Sequence, residues 1–161
     1  MKLLAIDPGF ERIGIAVIEK TLKGKEVLLY SDCFKTSPKI PFVERLNLIG
    51  GEVARVIKEW DPSAFAIEKL YFATNKTTAM GVAEARGVLC YEAARAGLHF
   101  FEYTPIQIKV ATTGYGKATK DQVLSMTAKL ISLPENKKMI DDEVDAIAIG
   151  LTCFAYENFK L

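Results

Sequence analysis

A single histidine and three cysteines are all the imidazole and thiol chemistry that these 161 residues carry. Cys33, Cys90 and Cys153 are odd in number, far apart and set among apolar neighbours, so they read as reduced core thiols and not as a disulfide framework or a zinc cluster. His99 stands in a strand-like run without a partner pattern and reads as structural. With no Ser–His or Cys–His pairing to build on, the sequence offers nothing for a covalent nucleophile. Long apolar runs are also missing: none approaches the ~20 residues of a membrane span, and the start lacks the basic-then-apolar layout of a secretory signal. The sequence therefore predicts no membrane contact and a cytoplasmic protein. Net charge is only +1, so the total does not argue for a nucleic-acid partner. Repeats, linkers and low-complexity tracts are absent, and residues 1–161 are expected to form one domain large enough to bury a core unaided.

What is present is organised around the stretch from Leu3 to Ile18. Two short apolar, β-branched runs flank Asp7-Pro8-Gly9, the pattern of two buried strands joined by a tight turn. Asp7 ends the first of them. A carboxylate there is costly to bury unless a cation or hydrogen bonds compensate it, although Asp-Pro-Gly can also use the side chain simply to cap the turn. A third strand is expected over about 26–34, after the Lys23-Gly24-Lys25 turn. Phe42, Leu46, Ile49, Val53, Val56 and Ile57 recur every three or four residues, which predicts an amphipathic helix that Asp61-Pro62 ends.

Ala64 to Glu68 reads as a fourth strand, again terminated by a carboxylate. An Ala- and Gly-rich helix follows over about 75–96, with apolar residues on more than one face, and a fifth strand over 98–103. The segment 106–117 has no clear pattern, and within it Thr112-Thr113-Gly114-Tyr115-Gly116 reads as a flexible loop. Thr119 and Gln122 form a capping-box pattern for the next helix, and a last helix starts near Asp141 or Asp142. Between Tyr103 and Met139 six lysines face two acids, which is either a solvated surface or an anion-binding one. Strands first and then strands alternating with helices predict a mixed α/β sheet with helices on both faces.

Asp7 and Glu68 thus end two strands, while Asp142 and Asp145 are three apart on one helix face. Each has a plain structural explanation: turn capping, a strand-end salt bridge with Lys69, or compensation of the helix dipole. Brought together, four carboxylates would repel and would call for a hard divalent ion, Mg²⁺ first.

At this point the motifs converge. Ile6-Asp7-Pro8-Gly9 with Gly14, Ala66-Ile67-Glu68 followed by Tyr71-Phe72-Ala73-Thr74-Asn75, Ala85-Arg86-Gly87, Gln107-Ile108-Lys109, and Asp142-Glu143-Val144-Asp145-Ala146 resemble, in order and over nearly the whole chain, the RuvC family of Holliday-junction resolvases. The resemblance implies a ribonuclease-H-like five-stranded sheet and a homodimer that makes paired symmetric nicks in four-way junction DNA during recombination and repair. It further implies Mg²⁺ as cofactor, two ions per subunit with Mn²⁺ as substitute, and the branch-migration proteins RuvA and RuvB as partners. It places the catalytic, metal-holding acids on Asp7, Glu68, Asp142 and Asp145, with Glu143 an alternative to Asp142. Lys120 takes a catalytic role, and Lys109, Lys117, Lys120 and Tyr71 the DNA contacts, with Lys117 competing with Lys120 for the scissile phosphate. A YqgF-type nuclease, an actin-like nucleotide-binding domain and a non-catalytic junction-binding protein are the other readings of an Asp-x-Gly hairpin.

Overall fold

The computed structural model describes residues 1–20, 25–70, 76–133, 139–157 and 159. Three antiparallel strands come first: β1 (Lys2–Asp7), β2 (Arg12–Glu19) and β3 (Val27–Lys35). Helix α1 (Phe42–Trp60) then crosses to β4 (Ala64–Glu68), and α2 (Lys76–Arg95) to β5 (His99–Tyr103). The chain ends its regular structure with α3 (Pro105–Thr113), α4 (Lys120–Leu130) and α5 (Asp141–Tyr156). The sheet order is β3-β2-β1-β4-β5, with β1, β4 and β5 parallel to one another. This is the predicted mixed five-stranded sheet. Because β1 and β4 are parallel neighbours, their carboxyl ends, and hence Asp7 and Glu68, leave the sheet at the same edge.

Successive side chains of a strand point to opposite faces. Leu4, Ile6, Ile13, Ile15, Val17, Phe65 and Ile67 pack against α1 and α2, where Ile49, Val53, Val56, Ala85, Leu89 and Ala93 meet them. Leu3, Ala5, Ala16, Ile18, Ala64 and Ala66 face α5. On that side the strands are lined mostly by alanine, so α5 lies close. A Cβ at Gly150 would come within 2.6 Å of Ile18 Cδ1 and 3.2 Å of Ala5 Cβ, so only a residue without a side chain lets the helix rest there. The same alternation puts Asp7 and Glu68 on the α5 face.

One reading changes. Thr112 and Thr113 are helical and not loop, the last residues of a helix over 105–113 that Thr104 caps: its hydroxyl accepts from the Gln107 amide at 3.2 Å and the Gln107 side chain accepts from the Thr104 amide at 2.9 Å. Thr112 and Thr113, which suggested flexibility, return their hydroxyls to the Ile108 and Lys109 carbonyls at 2.8 Å each. Helix α2 is covered on the sheet side and by α1, where Val88 meets Gly50, yet Met80 and Tyr91 stay 70% and 63% exposed. The Lys23-Gly24 turn, Tyr71, Phe72 and Pro134 lie outside the described residues.

Candidate active site

The edge where β1 and β4 end meets the first turn of α5. Gly14 pairs with Asp7 across the hairpin, and a Cβ on Gly14 would lie 1.9 Å from the Asp142 carbonyl oxygen and 3.1 Å from Asp7 Cβ. A missing side chain on β2 is therefore what lets the start of α5 dock beside Asp7. Asp142 and Asp145, one turn apart on α5, follow from that docking.

The acids act on one another electrostatically. Burial holds the Asp7 carboxyl well above the ordinary carboxylate range, and the charges of Asp145, Glu68 and Asp142 push it further, against the pull of Lys120. Glu68 is raised to about 7, first by burial and then by Asp145, with Lys109 opposing. Burial also raises Asp145, partly offset by its hydrogen bond from Lys120.

Two cations from the chain sit in this cluster. Lys120, the first residue of α4, places Nζ 3.1 Å from Asp145 Oδ2 and 3.6 Å from Asp141 Oδ2. Burial pulls the Lys120 ammonium down, but the bond to Asp145 and the charges of Asp145, Asp141 and Asp142 outweigh it and keep the group raised. The capping box of Thr119 and Gln122 fixes where α4 begins, and so fixes Lys120 at its rim. Arg12, at the start of β2, pairs its guanidinium with Asp142 Oδ2. Among the described residues no three acids close into a ready ligand cage; the two α5 acids are held by these cations instead. The donor set nevertheless suits a hard divalent ion: every candidate ligand is a carboxylate oxygen, and the most deeply set of them, Asp7, is surrounded by like charge.

The structure brings Asp7, Glu68, Asp142, Asp145, Lys120 and Lys109 to one edge. Lys117 is exposed on the connection between α3 and α4, with no ion pair among those described, so Lys120 is the lysine that reaches the acids. Tyr71 lies outside the described residues. Glu143 turns away from the cluster: it is 2% exposed, accepts from Ser31 Oγ on β3 at 2.9 Å, and reaches back to the Ile140 amide at 3.3 Å. It ties the helix start to the sheet, leaving Asp142 as the acid that faces the site.

Sequence reasoning missed Arg12 and the role of Arg86. Arg86 on α2 donates Nε to the Glu68 carbonyl at 3.3 Å and pairs with Glu102 on β5, steadying the backbone that carries Glu68. A guanidinium five residues after Asp7, at the start of the second strand of the hairpin, was the available signal for Arg12.

A family model described as crossover junction endodeoxyribonuclease RuvC matches residues 3–153. Proteins of that name from Desulfitobacterium hafniense and Pelotomaculum thermopropionicum are 42% and 38% identical, each alignment spanning 97% of this chain and 93% of the relative. Among solved structures, T. thermophilus RuvC in complex with Holliday junction substrate superposes with a TM-score of 0.88 at 33% identity, covering 97% of this chain and 94% of that one. The yeast mitochondrial Holliday junction resolvase Ydc2 shares the fold at a TM-score of 0.70 and 13% identity, over 95% of this chain and 77% of its own.

Proposed function

The chain belongs to the family of RuvC crossover junction endodeoxyribonucleases, and from that premise we propose that residues 1–161 act as one cytoplasmic, Mg²⁺-dependent nuclease domain that cuts four-way DNA junctions. The observation that carries this reading is the convergence of Asp7, Glu68, Asp142 and Asp145, delivered by two parallel strands and one helix, with Lys120 against them. Family membership disfavours the YqgF-type, actin-like and purely binding alternatives.

Asp7, Glu68, Asp142 and Asp145 would hold the ions, two per subunit with Mn²⁺ as a substitute. When bound, such ions supply an activated water and stabilise the leaving oxygen of a phosphodiester. The acids would hold that charge at the sheet edge, where burial and mutual repulsion raise the protonation range of Asp7 and Glu68, so a bound cation would favour their ionised forms. Lys120 brings a positive charge alongside Asp145, where it can meet the charge that develops on the phosphate. Lys109, near Glu68 on α3, and Lys117 would track the flanking phosphates, contacts that position the strand without reading its sequence. Tyr71 would stack on an unpaired base at the junction centre.

One chain carries one such acidic cluster, so paired nicks in a two-fold substrate need two copies. Met80, Glu84, Gly87, Tyr91 and Ala94 recur on α2 at spacings of four and three, are all exposed, and leave open space around Gly87, a seam suited to a second copy of the same helix. RuvA and RuvB are the further partners that the resemblance implies.

The test is a single panel: labelled four-way junction, linear duplex and ATP, each with and without Mg²⁺, with light scattering on the same preparation. Paired nicks in the junction alone, only with Mg²⁺, and a two-chain mass are expected. Consumption of ATP, or cutting of duplex as fast as junction, would sink the assignment.

A further inference from the structure

Arg12 is the one cation of the cluster that comes from the same hairpin as Asp7. Its backbone is held firmly. It pairs with Lys35 at the start of the β2–β3 ladder, and the Thr36 amide donates to the Glu11 carbonyl at 2.9 Å. The Phe10 carbonyl accepts from Thr36 Oγ1 at 2.6 Å and from Arg45 Nη2 at 3.2 Å. Arg45 is 6% exposed, donates Nε to Thr36 Oγ1 at 3.0 Å, and lays its guanidinium 3.7 Å over the Phe10 ring. The turn is thus fixed from α1 and from the end of β3. The Arg12 side chain, by contrast, is half exposed, while Asp142 is largely covered. A fixed backbone with a long, half-free side chain delivers the guanidinium to Asp142 reproducibly and leaves it free to depart.

We propose that Arg12 is a positioning residue that holds Asp142 in the metal-free protein as an internal counter-ion, competing with the divalent cation for that carboxylate. This rests on the reading of Asp142 as a metal ligand. A carboxylate oxygen engaged by a guanidinium has less to give an incoming ion, and a positive charge beside the site repels a second one. Arg12 therefore keeps Asp142 aimed at the site when no ion is present, at the expense of ion affinity. Binding the ion frees the guanidinium at a half-exposed position.

The experiment is a Mn²⁺ titration of the full chain without DNA, with free ion followed by electron paramagnetic resonance, on wild type, Arg12→Gln, Arg12→Lys and Asp7→Asn. Arg12→Gln should bind Mn²⁺ about three- to tenfold more tightly than wild type, with Arg12→Lys between them, the scale expected for removing a half-exposed ion pair and its repulsion of the ion. Its thermal midpoint should be lower than wild type in chelator and equal to wild type in saturating Mn²⁺, whereas a purely structural arginine would lower both. Equal or weaker uptake by folded Arg12→Gln, with uptake still lost in Asp7→Asn, overturns the counter-ion role alone. Failure of wild type itself to take up Mn²⁺ overturns the metal-site reading and this inference with it.

Discussion

On the side of α1 and α2 the sheet presents Leu4, Ile6, Ile13, Ile15, Val17, Phe65 and Ile67, while on the side of α5 the same strands present Leu3, Ala5, Ala16, Ile18, Ala64 and Ala66, four of the six alanine, with Gly14, Asp7 and Glu68 at the edge. Large side chains from the strands keep α1 and α2 at a distance. Alanine and glycine give up buried area per residue, and in exchange bring the backbone of α5 against the strands. The proposed site sits where the approach is closest. Both faces bury a core, but only the small-residue face carries the acids, and that difference can be broken by substitutions on each side.

The largest effect belongs to Asp7→Asn. Cleavage should fall to background while junction binding persists, since phosphate contacts come from the lysines. The metal-free thermal midpoint should rise, because a buried carboxyl crowded by like charge is removed. Nicking at the wild-type rate would separate Asp7 from the mechanism.

Next is Lys120→Ala, for which single-turnover cleavage should drop by about 10²–10³-fold with a smaller loss of junction affinity, the pattern of a contact made chiefly in the transition state. Lys117→Ala should weaken binding and leave the single-turnover rate nearly intact; the reverse result would exchange the two lysines.

Gly14→Ala probes the close approach itself. A methyl group 1.9 Å from the Asp142 carbonyl oxygen must displace α5, and a displacement near 1 Å can cost about 10²-fold in rate. Its cleavage rate should fall far more than its denaturation midpoint, and a variant as fast as wild type would mean that α5 need not sit where it does.

A smaller effect is pH-dependent. Glu68 protonates at about 7 in the folded chain against an ordinary 4.5, and Asp7 moves in the same direction. The folded state then binds more protons than the unfolded one between those values, so this contribution to stability is full below about 4.5 and is lost as pH rises through 7. In chelator the midpoint of wild type should decline relative to Glu68→Gln over that window, and Mg²⁺ should remove the difference. Parallel curves in chelator would contradict the burial of Glu68.

The smallest effect is expected on the other face. Ile67→Val, a fully buried position one residue before Glu68, should cost about 0.5–1.5 kcal/mol in denaturant melts and leave the single-turnover rate within a factor of two or so. A rate loss larger than the stability loss would dissolve the division between the faces.

Much of this division is written in local pattern. The alternation of Leu3 to Asp7 and Ala64 to Glu68 already separates a bulky face from a small one, and the spacing from Phe42 to Ile57 specifies α1. That the strand-end acids meet those of α5 was not a matter of spacing; the motif resemblance carried it, because no local rule says which strands become neighbours. The helix at 105–113 was hidden by its threonines and by Gly114, which favour loops unless their hydroxyls bond back along the chain. Lys117 and Lys120 differ by less than a helical turn in sequence, and only the capped start of α4 distinguishes them. Apolar residues on more than one face of α2 pointed to a face that its own sheet does not cover, and Met80 and Tyr91 lie open there.

The pairing of Arg12 with Asp142 closes a loop of 130 residues, while the β1–β2 hairpin closes within a handful. Contacts of such different range do not form together: hairpins close in microseconds, and long-range docking has to wait until the entropy of a large loop is overcome. By contact range, the hairpin that carries Asp7 is expected to close before α5 brings Asp142 and Asp145 to it. The acids of the proposed site are therefore brought together by the long-range docking of α5 and not by any local turn, and a chain in which α5 is undocked has only Asp7 and Glu68 in place.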